Sequence, residues 1–184
     1  MIIKSLRDCE KKYSLIYADP PWSFNNRRTG GSTSSGASQH YNTMEMHDLC
    51  GLPVQDIADD NCVLLMWWVA SMPKEALYLV DDWGFTLKTM TAFVWNKITK
   101  NGKSHFGMGH WTRAGAECCL LAIKGKPKPV SHSIRSVCDA VILKHSQKPN
   151  VFATRAVNLC GDVPRIELFA RDHKPGWDSF GDEL

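Results

Sequence analysis

The 184-residue sequence predicts an α/β fold with a mainly parallel sheet. Three observations lead there. Six short runs are apolar at nearly every position and rich in β-branched and aromatic residues, as strands covered on both faces are. Segments of helical character lie between several of them, and strand–helix alternation is the pattern of parallel pairing. Hydrophobic residues make up 43% and charged residues 22%, the balance of a globular domain with one sizeable core.

The first strand is "YSLIYA" (13–18), which runs directly into "DPPW" (19–22). A Gly/Ser-rich stretch, "RRTGGSTSSGASQHY" (27–41), has no apolar periodicity and reads as a mobile loop. "MHDLCGLPVQDIAD" (46–59) reads as a helix broken near Pro53, and "CVLLMWWV" (62–69) as the second strand. "MPKEALYLVDDW" (72–83) is a helix with Pro73 near its start, where a missing N–H is tolerated. "TAFVWNK" (91–97) and "ECCLLAIKG" (117–125) are strands joined by "TKNGKSHFGMGHWTRAG" (99–115), a basic loop with four glycines. "DAVILK" (139–144) is a strand, and "NVFATRAVNLCG" (150–161) is a helix ending on Gly161, a good C-cap. "RIELFA" (165–170) is the last strand, so Asp19 follows the first strand and Arg171 the last. In such sheets ligands bind at the carboxyl ends of strands. The expected organisation is one domain over 1–184, with mobile loops near 23–43 and 99–115.

Composition narrows the function classes. No apolar run approaches the roughly 18–20 residues that span a bilayer, and the apolar N-terminal stretch is too short for a signal peptide. The expected location is therefore the cytoplasm, without membrane contact. The seven cysteines are odd in number and form no C-x-x-C pair, which fits reduced thiols and no metal site. A formal charge of +3 permits nucleic-acid binding without demanding it.

"DPPW" admits two readings. Asp-Pro is a common turn starter, and Trp22 is suited to covering the end of the core. The other reading starts from geometry. A residue before proline is pushed toward extended conformations, and neither Pro20 nor Pro21 has an N–H. Asp19 then supplies a carboxylate acceptor, Pro20 and Pro21 stiff carbonyl acceptors, and Trp22 a flat face. That set suits a planar exocyclic amine with two N–H donors. Holding both hydrogens polarises a delocalised nitrogen toward a nucleophile, by positioning and electrostatics. Trp22 would stack on the base, which in a duplex must first leave the helix.

The motif and its surroundings resemble a known family. "DPPW", "HYNTM" (40–44), "LLMWWV" (64–69), "FVWNK" (93–97), "GHW" (109–111), "GAECCLLAIKGKP" (115–127), "HSQKP" (145–149) and "RIELFARDHKPGWDSFGDEL" (165–184) together look like the MT-A70 type of adenine-N6 methyltransferases. The resemblance implies a Rossmann-like methyltransferase sheet with permuted motif order, catalytic motif N-terminal and cofactor motif C-terminal. It implies S-adenosylmethionine as cofactor and adenine in a nucleic acid as substrate. DNA ranks ahead of RNA, the alternative to an enzyme is a non-catalytic nucleic-acid-binding partner subunit, and a homodimer or a partner subunit remains open.

By the same resemblance, Lys148 takes the cofactor's carboxylate, and Arg171 and His173 contact its ribose or amino-acid end. Asp19 lies near its ammonium, and Asp182 and Glu183 reach its adenosine moiety. Family members usually have amide side chains near Asp182, and often asparagine where this chain has Lys174. Glu167 either orients Arg171 or touches the cofactor. Tyr41, Trp68, Trp95 and Trp111 align with aromatic family positions on the substrate side, and Lys97 lies beside Trp95 as a substrate contact. Arg27 and Arg28 are either phosphate contacts or a solvated tip. Lys97, Lys100, Lys103, His105, His110 and Arg113 make the second loop basic, which suits a nucleic-acid backbone.

Overall fold

The computed structural model describes residues 1–23, 43–107, 109, 111–142, 147–182 and 184. Tyr41, Arg27, Arg28, His110 and Glu183, each singled out above, lie outside the described residues, as does nearly all of the loop expected at 23–43.

In chain order the elements are β1 (Tyr13–Ala18), α1 (Met46–Cys50), α2 (Val54–Ile57), β2 (Ala58–Trp68), α3 (Pro73–Asp82), β3 (Thr86–Ile98), β4 (Ala116–Lys124), β5 (Val137–Val141), α4 (Asn150–Cys160), β6 (Arg165–Leu168) and β7 (Asp178–Phe180). They build a seven-stranded sheet in the order β5-β3-β4-β2-β1-β6-β7. β1 pairs parallel with β2 and β6, β6 with β7, and β3 with β5. β4 alone runs antiparallel, between β2 and β3.

The near-continuous apolar runs arise because both faces of the sheet are covered. On β1, Ile16 and Ala18 point to one face, with Leu64 and Met66 of β2 and Ile166 and Leu168 of β6, against Leu49, Ile57, Leu79, Val80 and Trp83 of the α1–α3 side. Leu15 and Tyr17 point to the other, with Leu65 and Trp67, against Phe152, Ala153 and Ala156 of α4. This is the period-2 alternation of a strand read on two buried faces.

Three differences from the sequence expectation have local causes. The helix expected at 46–59 breaks at Pro53 but stops at Ile57, because Ala58 already pairs with Tyr13 in the sheet. The stretch at 99–115 is built by backbone hydrogen bonds between its two sides. β7 was not visible in the sequence, since "DSF" has no apolar run. Its backbone is instead fixed by β6 and by the N-terminal segment, where Ile3 N–H donates to Ser179 O and Ser179 N–H to Met1 O. Among the described residues no helix is long and apolar enough to cross a membrane, and the seven cysteines are all free.

Candidate active site

Because β1, β2, β3 and β6 point the same way, their carboxyl ends share one edge of the sheet. Asp19 stands there as the first residue after central β1. Lys148, two residues before α4, reaches both of its carboxylate oxygens, at 2.8 and 2.7 Å. Lys148 also lies 3.2 Å from Glu117, and Glu117 pairs in turn with Lys97. Four alternating charges therefore run Asp19–Lys148–Glu117–Lys97 along the edge. The Lys148 ammonium sits 5.4 Å over the Trp67 ring, a cation–π contact that fixes it from below.

The electrostatics of the row are uneven. Burial pushes the Asp19 carboxyl above its ordinary value; Lys148 and the charge of Arg171 offset part of the rise, while Glu117 adds to it. Burial also pushes Glu117 upward, but Lys148 and Lys97 outweigh it and hold the group below the usual carboxylate range. For Lys148, burial favours the neutral amine, yet Asp19 and Glu117 win and keep it protonated. Of the two carboxyls in the row, Asp19 is the one its surroundings raise and Glu117 the one they lower.

The prolines and Trp22 behave differently from the expectation of free acceptors and a stacking face. Pro20 O accepts from Trp22 N–H at 2.9 Å, the bond of a γ-turn centred on Pro21. Pro21 O accepts from Met44 N–H at 2.9 Å. Each carbonyl keeps its second lone pair, so the acceptor frame is clasped rather than idle. Trp22 is 4% exposed, packed among core residues, with its indole N–H on Trp67 O at 3.1 Å. A ring so enclosed has no face to offer a base; Trp22 anchors the motif instead.

The substrate-side expectations divide in the same way. Trp95 is 3% exposed and its indole donates to Ala140 O, so it is a core residue. Trp68 is half-buried and donates to Met90 O, in the stretch of β3 where the ladder with β4 is interrupted. Lys97 is at the site, but as the partner of Glu117 and over the Trp95 ring.

At the end of β6, Phe169 adopts a φ of 60°, rare for a bulky residue and a cost of roughly 1–2 kcal/mol. This turn releases Arg171 at the carboxyl edge, where its charge acts on Asp19. Glu167 does not pair with Arg171 as one expectation had it: Lys174 takes both its oxygens, at 2.8 and 2.6 Å, and also reaches Asp172. Lys174, which departs from the family pattern, thus has a partner in the chain itself. His173 is exposed, with Nδ1 3.3 Å from Ser179 Oγ. A β-carbon at Gly181 would lie 2.2 Å from Ala170 O, so only glycine lets the chain pass beside the Arg171 turn and deliver exposed Asp182 to the same edge.

The sequence reading missed Glu117 and Trp67. Glu117 opens an apolar run, and a parallel strand would have put it at the far edge. The reversed direction of β4 brings its beginning to the carboxyl edge instead.

The MT-A70 family model matches residues 13–183. The chain belongs to the MT-A70 family. The fold is therefore that family's Rossmann-like methyltransferase fold, and the protein is placed among adenine-N6 methyltransferases, which use a methyl donor of the S-adenosylmethionine type. It is similar to the "Type II methyltransferase M.MunI" of a Mycoplasma species, 32% identical over 190 residues, covering 95% of this chain and 78% of that protein. The human "N(6)-adenosine-methyltransferase catalytic subunit METTL3" is 27% identical over 185 residues, 94% of this chain but 28% of METTL3. The mouse "N(6)-adenine-specific methyltransferase METTL4" is 25% identical over 198 residues, 99% of this chain and 40% of METTL4. This MT-A70 chain thus spans most of M.MunI and well under half of the two mammalian relatives.

Proposed function

We propose that this MT-A70 protein transfers a methyl group from S-adenosylmethionine to N6 of adenine in DNA, acting on a flipped or single-stranded base. The observation that carries the reading is the Asp19–Lys148 pair at the carboxyl edge of the central strand. An amino-acid zwitterion complements it, ammonium toward Asp19 and carboxylate toward Lys148, so one internal ion pair exchanges for two external ones. Arg171, His173 and Asp182, delivered by the β6 turn and the Gly181 passage, are suited to the remainder of the cofactor. When bound, S-adenosylmethionine supplies an electrophilic methyl carried on a sulfonium.

The chain's own residues prepare the amine. Asp19 accepts one N6 hydrogen, and the second lone pair of the Pro20 carbonyl is placed for the other. Both acceptors draw the nitrogen lone pair out of the ring, which positions and activates it without a strong base. As the nitrogen gains its methyl it becomes acidic, and Asp19, whose carboxyl is already raised by burial, receives the departing proton. Lys148 steadies the Asp19 carboxylate until the donor binds, and Glu117 with Lys97 steadies Lys148.

DNA is favoured because a relative matched along most of its length, M.MunI, is named as a type II methyltransferase. A second reading, RNA, follows from the match to METTL3, named as an adenosine methyltransferase. The protein is incubated with radiolabelled S-adenosylmethionine and matched DNA and RNA oligonucleotides, single- and double-stranded, which are then digested to nucleosides. We expect N6-methyldeoxyadenosine. Label in RNA alone overturns the choice of polymer, and no N6-methyladenine from either overturns the function.

A further inference from the structure

The segment 99–115 joins the carboxyl end of β3 to the start of β4, so it rises from the edge that holds Asp19. Its root is part of the site: Lys97 and Glu117, one on each side of it, form an ion pair. It is a constructed arm. His105 N–H donates to Lys97 O at 2.9 Å, Thr99 N–H to Lys103 O at 2.8 Å, Lys97 N–H to Gly115 O at 2.8 Å, and Gly107 N–H to Ala114 O at 3.0 Å. Gly107 is required for this approach, since a β-carbon there would lie 2.4 Å from Ala114 O.

What the arm displays is unusual for this molecule. Of seven tryptophans, six are buried or half-buried, whereas Trp111 is fully exposed at 106% and held out on a left-handed backbone with φ 60°. Phe106 is 76% exposed, with the Arg113 guanidinium 5.0 Å from its ring centroid. Lys100, Lys103 and Arg113 are exposed, and no acidic residue occurs between 99 and 115. Exposed aromatic faces interleaved with unopposed cations suit a polyanion that carries stacked rings. The charge does not suit a second copy of this chain, which carries a formal +3.

We propose that the arm at 99–115 grips the nucleic acid, with Trp111 stacking on an unpaired base of the bound strand while Lys100, Lys103 and Arg113 neutralise its phosphates. This rests on the methyltransferase reading for its choice of partner. It also supplies the base-stacking face that Trp22 and Trp95, enclosed in the core, do not.

The test titrates the full chain with an adenine-containing single-stranded DNA oligonucleotide, following tryptophan fluorescence and the anisotropy of an end-labelled strand across several salt concentrations. Trp111→Asn removes the ring and keeps a residue that tolerates left-handed backbone. We expect it to abolish most of the fluorescence quenching and raise Kd about tenfold, with the salt slope unchanged. Trp111→Phe should restore most of the affinity. The Lys100→Ala/Lys103→Ala double variant should lower the salt slope by roughly 1.4, two single-strand phosphate contacts. S-Adenosylmethionine affinity should stay the same in all three. Unchanged oligonucleotide Kd in Trp111→Asn overturns the proposal, as does a shift in sedimentation without loss of affinity, which would make the arm a protein interface. The readout needs no turnover, so an arm that grips DNA in a protein that methylates nothing would sink the function and leave the grip.

Discussion

Two aspartates at opposite edges of the sheet are each met by a lysine, and they have opposite fates. Asp178, at the amino edge where β7 begins, is held by Lys11 at 2.6 Å, the Met1 ammonium at 2.8 Å and the Tyr13 hydroxyl at 2.9 Å. Burial pushes its carboxyl up, but these donors outweigh burial and bring it down to about 2. Asp19, at the carboxyl edge, has Lys148 as its close cation, and Lys148 is shared with Glu117. There burial wins, and the carboxyl is raised. Asp178 is satisfied by the chain and contributes stability. Asp19, which Lys148 meets among the described residues, keeps a raised carboxyl, at a cost in stability. Functional positions are where such costs are expected.

The largest effect that would test this contrast is at Asp19. Asp19→Asn keeps the shape and an amide oxygen for Lys148 but loses the charge. We expect turnover to fall by roughly 10²–10⁴-fold, with Tm unchanged or slightly raised. A Tm loss as large as that at Asp178 would show that Asp19 is a structural anion. Lys148→Met comes next: the donor's Kd should rise by roughly 10²-fold, measured calorimetrically, because a buried charge loses its partner. An unchanged Kd would mean that the carboxylate is held elsewhere. Glu117→Gln acts through Lys148, so its effect is smaller, about tenfold on donor KM with adenine KM unchanged. A change in adenine KM alone would place Glu117 against the substrate instead.

The same contrast explains what the sequence disclosed. Strands covered on both faces leave a contiguous apolar imprint, so β1 and β4 were legible almost to the residue. β7 was not, because its stability comes from a polar cluster at Asp178 assembled from distant residues. At the site, Asp19 and Lys148 were legible as motif residues. Glu117 was not, because its place depends on the direction of β4, and apolarity carries no sign of direction. Trp22 read as a stacking face and Trp95 as a substrate-side position, and both are core. A tryptophan's exposure is decided by what the fold lays over it, and the tryptophan with an open face, Trp111, was legible as a family-aligned aromatic but not as an exposed one.

The smallest expected effect is on stability alone, and it lies at Asp178. Its folded carboxyl, at about 2, lies below the ordinary 3.8, so the native state releases its proton more readily than the unfolded chain does. The resulting stabilisation is fully present above the unfolded value and is lost as pH falls from about 4 to about 2. The shift corresponds to about 2 kcal/mol at neutral pH. Asp178→Asn should therefore lower Tm by about 4–8 °C at pH 7, leave donor affinity intact, and converge on the wild type in acid-unfolding curves near pH 2. Asp19→Asn should show the opposite sign, level with the wild type in acid and at least as stable above it, because ionising Asp19 as pH rises above the unfolded value costs stability. If both variants lose stability in parallel across this range, the two aspartates do the same work, and the division between a satisfied and a waiting carboxylate fails.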